Sequence, residues 1–234
     1  MLTGILMDPA CNCEQCELKE LFVEKLEGEH MDIVCSGKVE KLFSKGEIII
    51  KEGTPIRDFV YLKSGLVKLF RTDISGKEQI ITIAKPFDYV SLLSVFSNDR
   101  YQYSVTALED SVTCNLDMKD IRRMVRENGI LALNLMKHMS RVADKIILDS
   151  LRIRKKNLRG RVAYLLIFFS KSVYFSPEFD LPLSRKEMAE YVGMTTENVI
   201  RSLSELRKDG VLRIYGKTIQ IVQMDTLKSI AEFG

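Results

Sequence analysis

Glu197 and Arg201 stand four residues apart in a stretch whose apolar positions recur at helical spacing, so both project from one helix face. An arginine guanidinium can donate two parallel hydrogen bonds to guanine O6 and N7, and a glutamate can accept one from cytosine N4. The pair could therefore read neighbouring base pairs. The alternative is a solvated ion pair, which stabilises a helix by only ~0.2–0.5 kcal/mol. A carboxylate turned toward phosphate costs binding unless it meets a donor, so Glu197 in a DNA groove points to sequence discrimination. A second chemically capable set is Cys11, Cys13 and Cys16 near the N-terminus with Cys114 far downstream. Thiolates at short spacing suit iron–sulfur or zinc ligation. Read separately, Cys114 is a buried strand cysteine and the N-terminal trio a reactive-thiol arm. His30 and His138 lack partner spacing and read as structural, and Cys35 reads as a core or surface residue, with ligation as the outside alternative.

The elements that must position Glu197 and Arg201 are legible over residues 184–222, SRKEMAEYVGMTTENVIRSLSELRKDGVLRIYGKTIQIV. Ser184 and Glu187 form a capping box that starts a short helix. Gly193 falls in the turn, where a residue without a β-carbon reverses the chain tightly. Thr195 caps a second helix whose Val199, Leu203 and Leu206 must face a core, leaving Thr196, Glu197 and Arg201 outward. Gly210 is a left-handed stop, and VLRIYGKTIQIV reads as a hairpin around Gly216. Helix, turn, helix and hairpin in this order predict a winged DNA-binding module. Its candidate contacts are Thr195, Thr196, Glu197, Ile200 and Arg201, with Ser184 and Lys217; Ile200 is apolar and could touch a thymine methyl.

This stretch resembles the CRP/FNR family of dimeric bacterial transcription regulators, with Glu and Arg at the matching positions. The resemblance implies that Glu197 and Arg201 read the G·C pairs of a TGA half-site. Thr196 stands where the catabolite-activator branch has arginine, a departure toward the oxygen-sensor branch. The resemblance also implies a homodimer and RNA polymerase as a protein partner.

From about residue 38 to 118 the chain reads as short strands broken by glycine turns, a small antiparallel barrel or roll. The progression KGE…I..EG…YLKSGLVK resembles the cyclic-nucleotide-binding-type sensor roll of the same family. Nucleotide-binding members hold the ribose and phosphate with Gly-Glu and Arg-Ser pairs. Here Ser91-Leu92 and Tyr103-Ser104 stand in those places, with Arg100 nearby. Leu92 cannot accept from a ribose hydroxyl and Tyr103 brings no charge, so cyclic AMP is not the expected effector. Leu92, Arg100, Tyr103 and Ser104 remain the candidate lining for another ligand.

Residues 120–153 carry one long helical pattern, with Leu131, Leu135, His138/Met139, Val142, Ile146 and Asp149/Leu151 approximating a coiled-coil seam. By resemblance this is the dimer helix, and Ile146 stands where the oxygen-sensor branch has an aspartate that opposes dimerisation without its cluster. That branch binds iron–sulfur through C-x2-C-x5-C and one distant cysteine. Cys13, Cys16 and Cys114 match, Phe22 stands at the third N-terminal position, and Cys11 is the available substitute.

The 234 residues, 46% hydrophobic and 29% charged, allow one large or two modest domains with ample core. Residues 151–234 hold 15 Lys/Arg against 9 Asp/Glu, whereas the first 150 hold 20 against 23, so the basic half carries the DNA-binding pattern. The cluster Arg152, Arg154, Lys155, Lys156, Arg159 and Arg161 reads equally as a solvated hinge or as phosphate contacts. The longest apolar run, AYLLIFF at 163–169, is too short to span a bilayer, and the N-terminus lacks a secretory pattern, so the expected place is the cytoplasm. No nucleophile–base pair, phosphate loop or paired catalytic carboxylates suggest an enzyme. A thiol or electron-transfer protein is the competing class, and it has no need of a winged helix.

The expected architecture is α+β: an N-terminal arm over 1–30, a jelly-roll-type antiparallel β-roll over 31–119, a dimerisation helix over 120–155 and a winged helix-turn-helix over 156–234.

Overall fold

The computed structural model describes residues 37–234, in two compact units: 37–71 with 81–145, and 72–80 with 146–234. The N-terminal cysteines Cys11, Cys13 and Cys16, together with His30 and Cys35, lie outside the described residues.

The first unit is the antiparallel roll. Its strands are β1 (Val39–Phe43), β2 (Ile48–Ile50), β3 (Asp58–Ser64), β4 (Val67–Thr72), β5 (Glu78–Ala84), β6 (Ser104–Ala107) and β7 (Ser111–Asp117). They form two sheets, β1-β7-β3 and β2-β6-β4-β5. Val60, Leu62, Val67, Leu69, Val105 and Leu116 fill the roll's core, all at most 4% exposed. The β3–β4 turn demands Gly65: its φ is +92°, and a β-carbon there would fall 2.6 Å from the Asp110 carbonyl oxygen. A short helix α1 (Leu92–Val95) drives Leu92 and Val95 into the same core.

The helical run expected over 120–153 is in fact two helices, α2 (Met118–Glu127) and α3 (Gly129–Lys155). Asn128 breaks it, with an extended backbone at φ −127°, ψ 100°. Its side-chain oxygen accepts from the Leu131 N–H at 3.0 Å, supplying a partner to a donor left open by the new helix start. The coiled-coil seam is also corrected. Leu131 and Leu135 are 2% and 3% exposed and belong to the roll's core, as do Met118, Ile121 and Met124 of α2. The apolar side chains that α3 leaves exposed are Ile130, Leu133, Met136, Ile147, Leu148 and Leu151. His138 packs edge-on against Tyr89, ring centroids 4.6 Å apart. Burial, aided by Arg141 and opposed by Asp88, lowers its pKa.

The second unit is built on α4 (Leu158–Phe168), in which Val162, Ala163, Leu165 and Leu166 are fully buried. A π-helical turn at Phe169–Val173 ends α4 and places Phe169 and Tyr174 against Phe179. Then come β8 (Glu178–Asp180), α5 (Arg185–Val192), α6 (Thr196–Lys208), β9 (Leu212–Tyr215), β10 (Thr218–Ile221) and α7 (Met224–Phe233). The expected hairpin is thus a three-stranded sheet, β8-β10-β9. The added strand is only three residues long. It is held by Phe179 in the aromatic cluster and by cross-strand bonds of Thr218 Oγ1 to Asp180 (2.6 Å) and Gln220 to Glu178 (2.9 Å).

Candidate nucleic-acid interface

Local chemistry fixes both helices of the reading motif at their ends. The capping box forms as the sequence requires: the Ser184 hydroxyl accepts from the Glu187 N–H at 3.2 Å, and the Glu187 carboxylate accepts from the Ser184 N–H at 2.8 Å. Gly193 ends α5 in the left-handed region, φ 67° and ψ 52°, which a side chain would resist. Two residues later the Thr195 hydroxyl accepts from the Asn198 N–H at 3.3 Å and starts α6. Val199, Leu203 and Leu206 are buried, at 0%, 3% and 0% exposure. Burying each of these side chains contributes about 1.5–3 kcal/mol, so the apolar stripe fixes which face of α6 turns outward. That face carries Glu197, Ile200 and Arg201, all exposed, with Thr196 half-buried beside them.

The two polar readers are poised by their neighbours rather than by each other. Arg201 donates from Nη2 to Asn198 Oδ1 at 3.0 Å and lies 4.0 Å from Glu205, so its ion-pair partner is one turn onward, not Glu197. The Glu197 carboxyl sits at the helix start, where its own backbone N–H and then the Thr195 hydroxyl hold it below the usual carboxylate range. It is therefore an ionised acceptor at neutral pH. Ser184 and Thr195 are exposed at the two helix starts, but their hydroxyls already serve as caps. Lys217 lies in the two-residue loop joining Tyr215 to Thr218 at the tip of the sheet. Lys186, exposed on the first turn of α5, lies 3.9 Å from Glu190 on the same helix.

Internal partners divide the basic cluster at 152–161. Arg152 pairs with Asp149 at 3.6 Å, Lys156 donates to the Ala231 carbonyl, Arg159 pairs with Asp209, and Arg161 donates to backbone carbonyls. Only Arg154 and Lys155 stay exposed with no partner among the described residues.

The roll's candidate residues are placed differently. Leu92 and Tyr103 are 0% and 4% exposed in the core, and the Tyr103 hydroxyl donates to the Val90 carbonyl at 3.2 Å. Burial pushes the Tyr103 hydroxyl up to about 12. The Ser104 hydroxyl accepts from the Glu52 N–H at 3.0 Å, and Arg100 donates to the Gly53 carbonyl at 2.6 Å. Cys114, on β7, is 3% exposed within the same apolar core.

Residues 40–128 match the cyclic nucleotide-binding domain family, and residues 160–230 match the Crp-like helix-turn-helix domain family. The chain belongs to the CRP/FNR family. It is a DNA-binding transcription regulator of that type. Among similar proteins, the transcriptional activator protein anr of Pseudomonas aeruginosa is 28% identical, over 95% of this chain and 93% of its own length. The fumarate and nitrate reduction regulatory protein of Escherichia coli K12 is 28% identical, over 95% of this chain and 91% of its own. The regulator shares its fold with FixK2 from Bradyrhizobium japonicum, at TM-score 0.74 and 22% identity, over 82% of this chain and 96% of that one. No helix among the described residues is long and apolar enough to cross a membrane.

Proposed function

We propose that the regulator binds a TGA-type palindrome as a homodimer, with Glu197 and Arg201 of each α6 on the G·C pairs, and that its effector is not cyclic AMP. The observation that carries this reading is α6 itself: an ionised carboxylate and a guanidinium in its first two turns, on the face opposite the buried Val199, Leu203 and Leu206. The N-terminal part of a recognition helix is the part that meets base edges. The homodimer is supported by the stripe Leu133, Met136, Ser140, Ala143 and Ile147, spaced by threes and fours along α3, all exposed except the half-buried Ala143. A second copy of this helix, carrying the same stripe, is its natural complement, and it sets two reading heads a helical turn of DNA apart. Ile146, half-buried beside the stripe, adds no charge that would oppose pairing. RNA polymerase is the expected protein partner, since one similar protein is named a transcriptional activator.

Against cyclic AMP stand the commitments of the roll. An acceptor for a ribose hydroxyl is replaced by a core leucine at 92, and a phosphate-binding cation by a tyrosine whose hydroxyl serves Val90. A four-cysteine iron–sulfur centre fits this chain poorly. Cys114 lies in an apolar core, where a thiol behaves as a small hydrophobe, and Phe22 replaces one ligand of the spacing. No step is assigned to such a centre.

Fluorescence anisotropy at moderate salt tests the reading. A TTGA-type palindrome should bind about 10³-fold or more tightly than scrambled DNA. Equal affinity for both would sink the proposal. Ile147→Lys should turn a sedimenting dimer into a monomer and abolish palindrome binding; a dimer that survives would remove α3 as its seam. Calorimetric titration with cyclic AMP should show no heat of binding, and an iron assay on anaerobically purified protein should show none bound.

A further inference from the structure

A guanidinium outside the reading face joins two helix ends. Arg161, on the first turn of α4, donates from Nε to the Lys156 carbonyl at 3.0 Å and from Nη2 to the Arg154 carbonyl at 3.4 Å. These carbonyls belong to the last turn of α3 and the residue after it. The same side chain donates from Nη1 to the carbonyls of Val192 and Gly193, at 3.1 and 2.9 Å. Those close α5 at the turn of the helix-turn-helix. The last carbonyls of a helix have no intrahelical donor, and the C-terminal end of its dipole attracts a cation. One positive group thus serves the negative ends of two helices separated by more than thirty residues of sequence. Within the same unit the Tyr164 hydroxyl donates to Asp149 of α3 at 2.7 Å, a second tie between α3 and α4.

We propose that Arg161 is a positioning residue for DNA reading: it rivets the end of α3 to the helix-turn-helix turn and so sets how α6 is aimed relative to the helix that precedes it. α6 begins three residues after Gly193, so a carbonyl anchored at the turn fixes the start of the recognition helix. The role requires arginine. Its fork spreads five N–H donors over three nitrogens, whereas a lysine has three donors on one atom and cannot reach acceptors lying on opposite sides. Lys156 is engaged elsewhere, on the Ala231 carbonyl, and offers no replacement.

The consequence for DNA rests on the palindrome reading above. If each α6 is aimed by its own rivet, a dimer accepts one spacing of half-sites. Loosening the rivet lowers affinity at that spacing and flattens the preference, while contacts within one half-site persist. Arg161→Gln and Arg161→Lys should each weaken binding to the preferred palindrome by about tenfold, yet weaken binding to palindromes one base pair longer or shorter by less than about threefold. A uniform loss at all spacings, or full rescue by lysine, overturns the proposal. Hydrogen exchange on DNA-free protein supplies a readout that is independent of palindrome reading. Arg161→Gln should speed exchange at both 153–156 and 193–196, with the amides of the buried α6 face unchanged. Acceleration at only one segment, or at neither, also overturns it. A wild type without spacing preference but with coupled exchange would count against the palindrome and leave the rivet standing.

Discussion

In the winged helix the residues expected to meet a ligand lie at the surface, Arg201 with 63% of its side chain exposed, whereas in the roll Leu92 and Tyr103 are 0% and 4% exposed. Both regions come from ligand-binding families. The difference lies in what the polar atoms are doing. The caps of α5 and α6 are supplied by Ser184, Glu187 and Thr195, and Glu197 and Arg201 stay exposed with partners only among near neighbours in the chain. In the roll, Tyr103, Ser104 and Arg100 each satisfy a backbone group of the roll itself. The Tyr103 hydroxyl closes a buried carbonyl and is costly to divert to a ligand, because the group it leaves is then unsatisfied. The candidate readers of α6 are left exposed by short-range capping, whereas the candidate residues of the roll are engaged by its own core and backbone.

That contrast can be broken from either side. The largest effect is expected from Leu92→Glu, which restores an acidic side chain at the nucleotide-binding family's position. A carboxylate at a fully buried apolar site should destabilise the roll by at least about 3 kcal/mol. Thermal denaturation checks this, and unchanged stability would mean that the site opens readily to a polar ligand. Glu197→Ala works on the other side. It should cost about 1–3 kcal/mol of affinity for the palindrome, leave non-specific binding intact and leave the melting temperature where it was. A variant that melts earlier would show Glu197 to be structural, acting through its place at the helix start.

The smallest effect concerns His138, which packs on Tyr89 at the base of the roll. Its folded pKa lies below the ordinary value of 6.5, because burial outweighs the attraction of Asp88. The unfolded chain therefore takes up the proton first, so stability is complete above 6.5 and declines as pH falls through that value toward the lower folded one. His138→Phe should remove this slope in chemical denaturation measured across the range, and an unchanged slope would place its origin elsewhere.

How much was legible depended on the range of the interaction. The capping box at Ser184 and Glu187, the left-handed Gly193 and the buried stripe Val199, Leu203 and Leu206 are all decided within four residues of sequence, and each stands where its local pattern puts it. The strand β8 escaped notice because three residues carry no periodicity, and Phe179 finds its aromatic partners only after folding. Asn128 was visible as a residue type, but in a run of helix formers its break is settled by the cap it offers α3. The basic cluster at 152–161 had two readings on sequence alone, and the structure adds internal partners that no spacing shows: Asp149 one turn back for Arg152, and distant groups for Lys156, Arg159 and Arg161.

The sequence by itself determined the reading helix, its caps, its outward Glu197 and Arg201 and the order roll, long helix, winged helix, since these follow from local propensity and from periodicity along the chain. Only the tertiary structure decided that Leu131 and Leu135 belong to the roll's core, and that the Arg161 guanidinium meets the carbonyl ends of two helices. A stripe records that a face is buried but not against what, and a charge in sequence has no address until distant carbonyls converge on it.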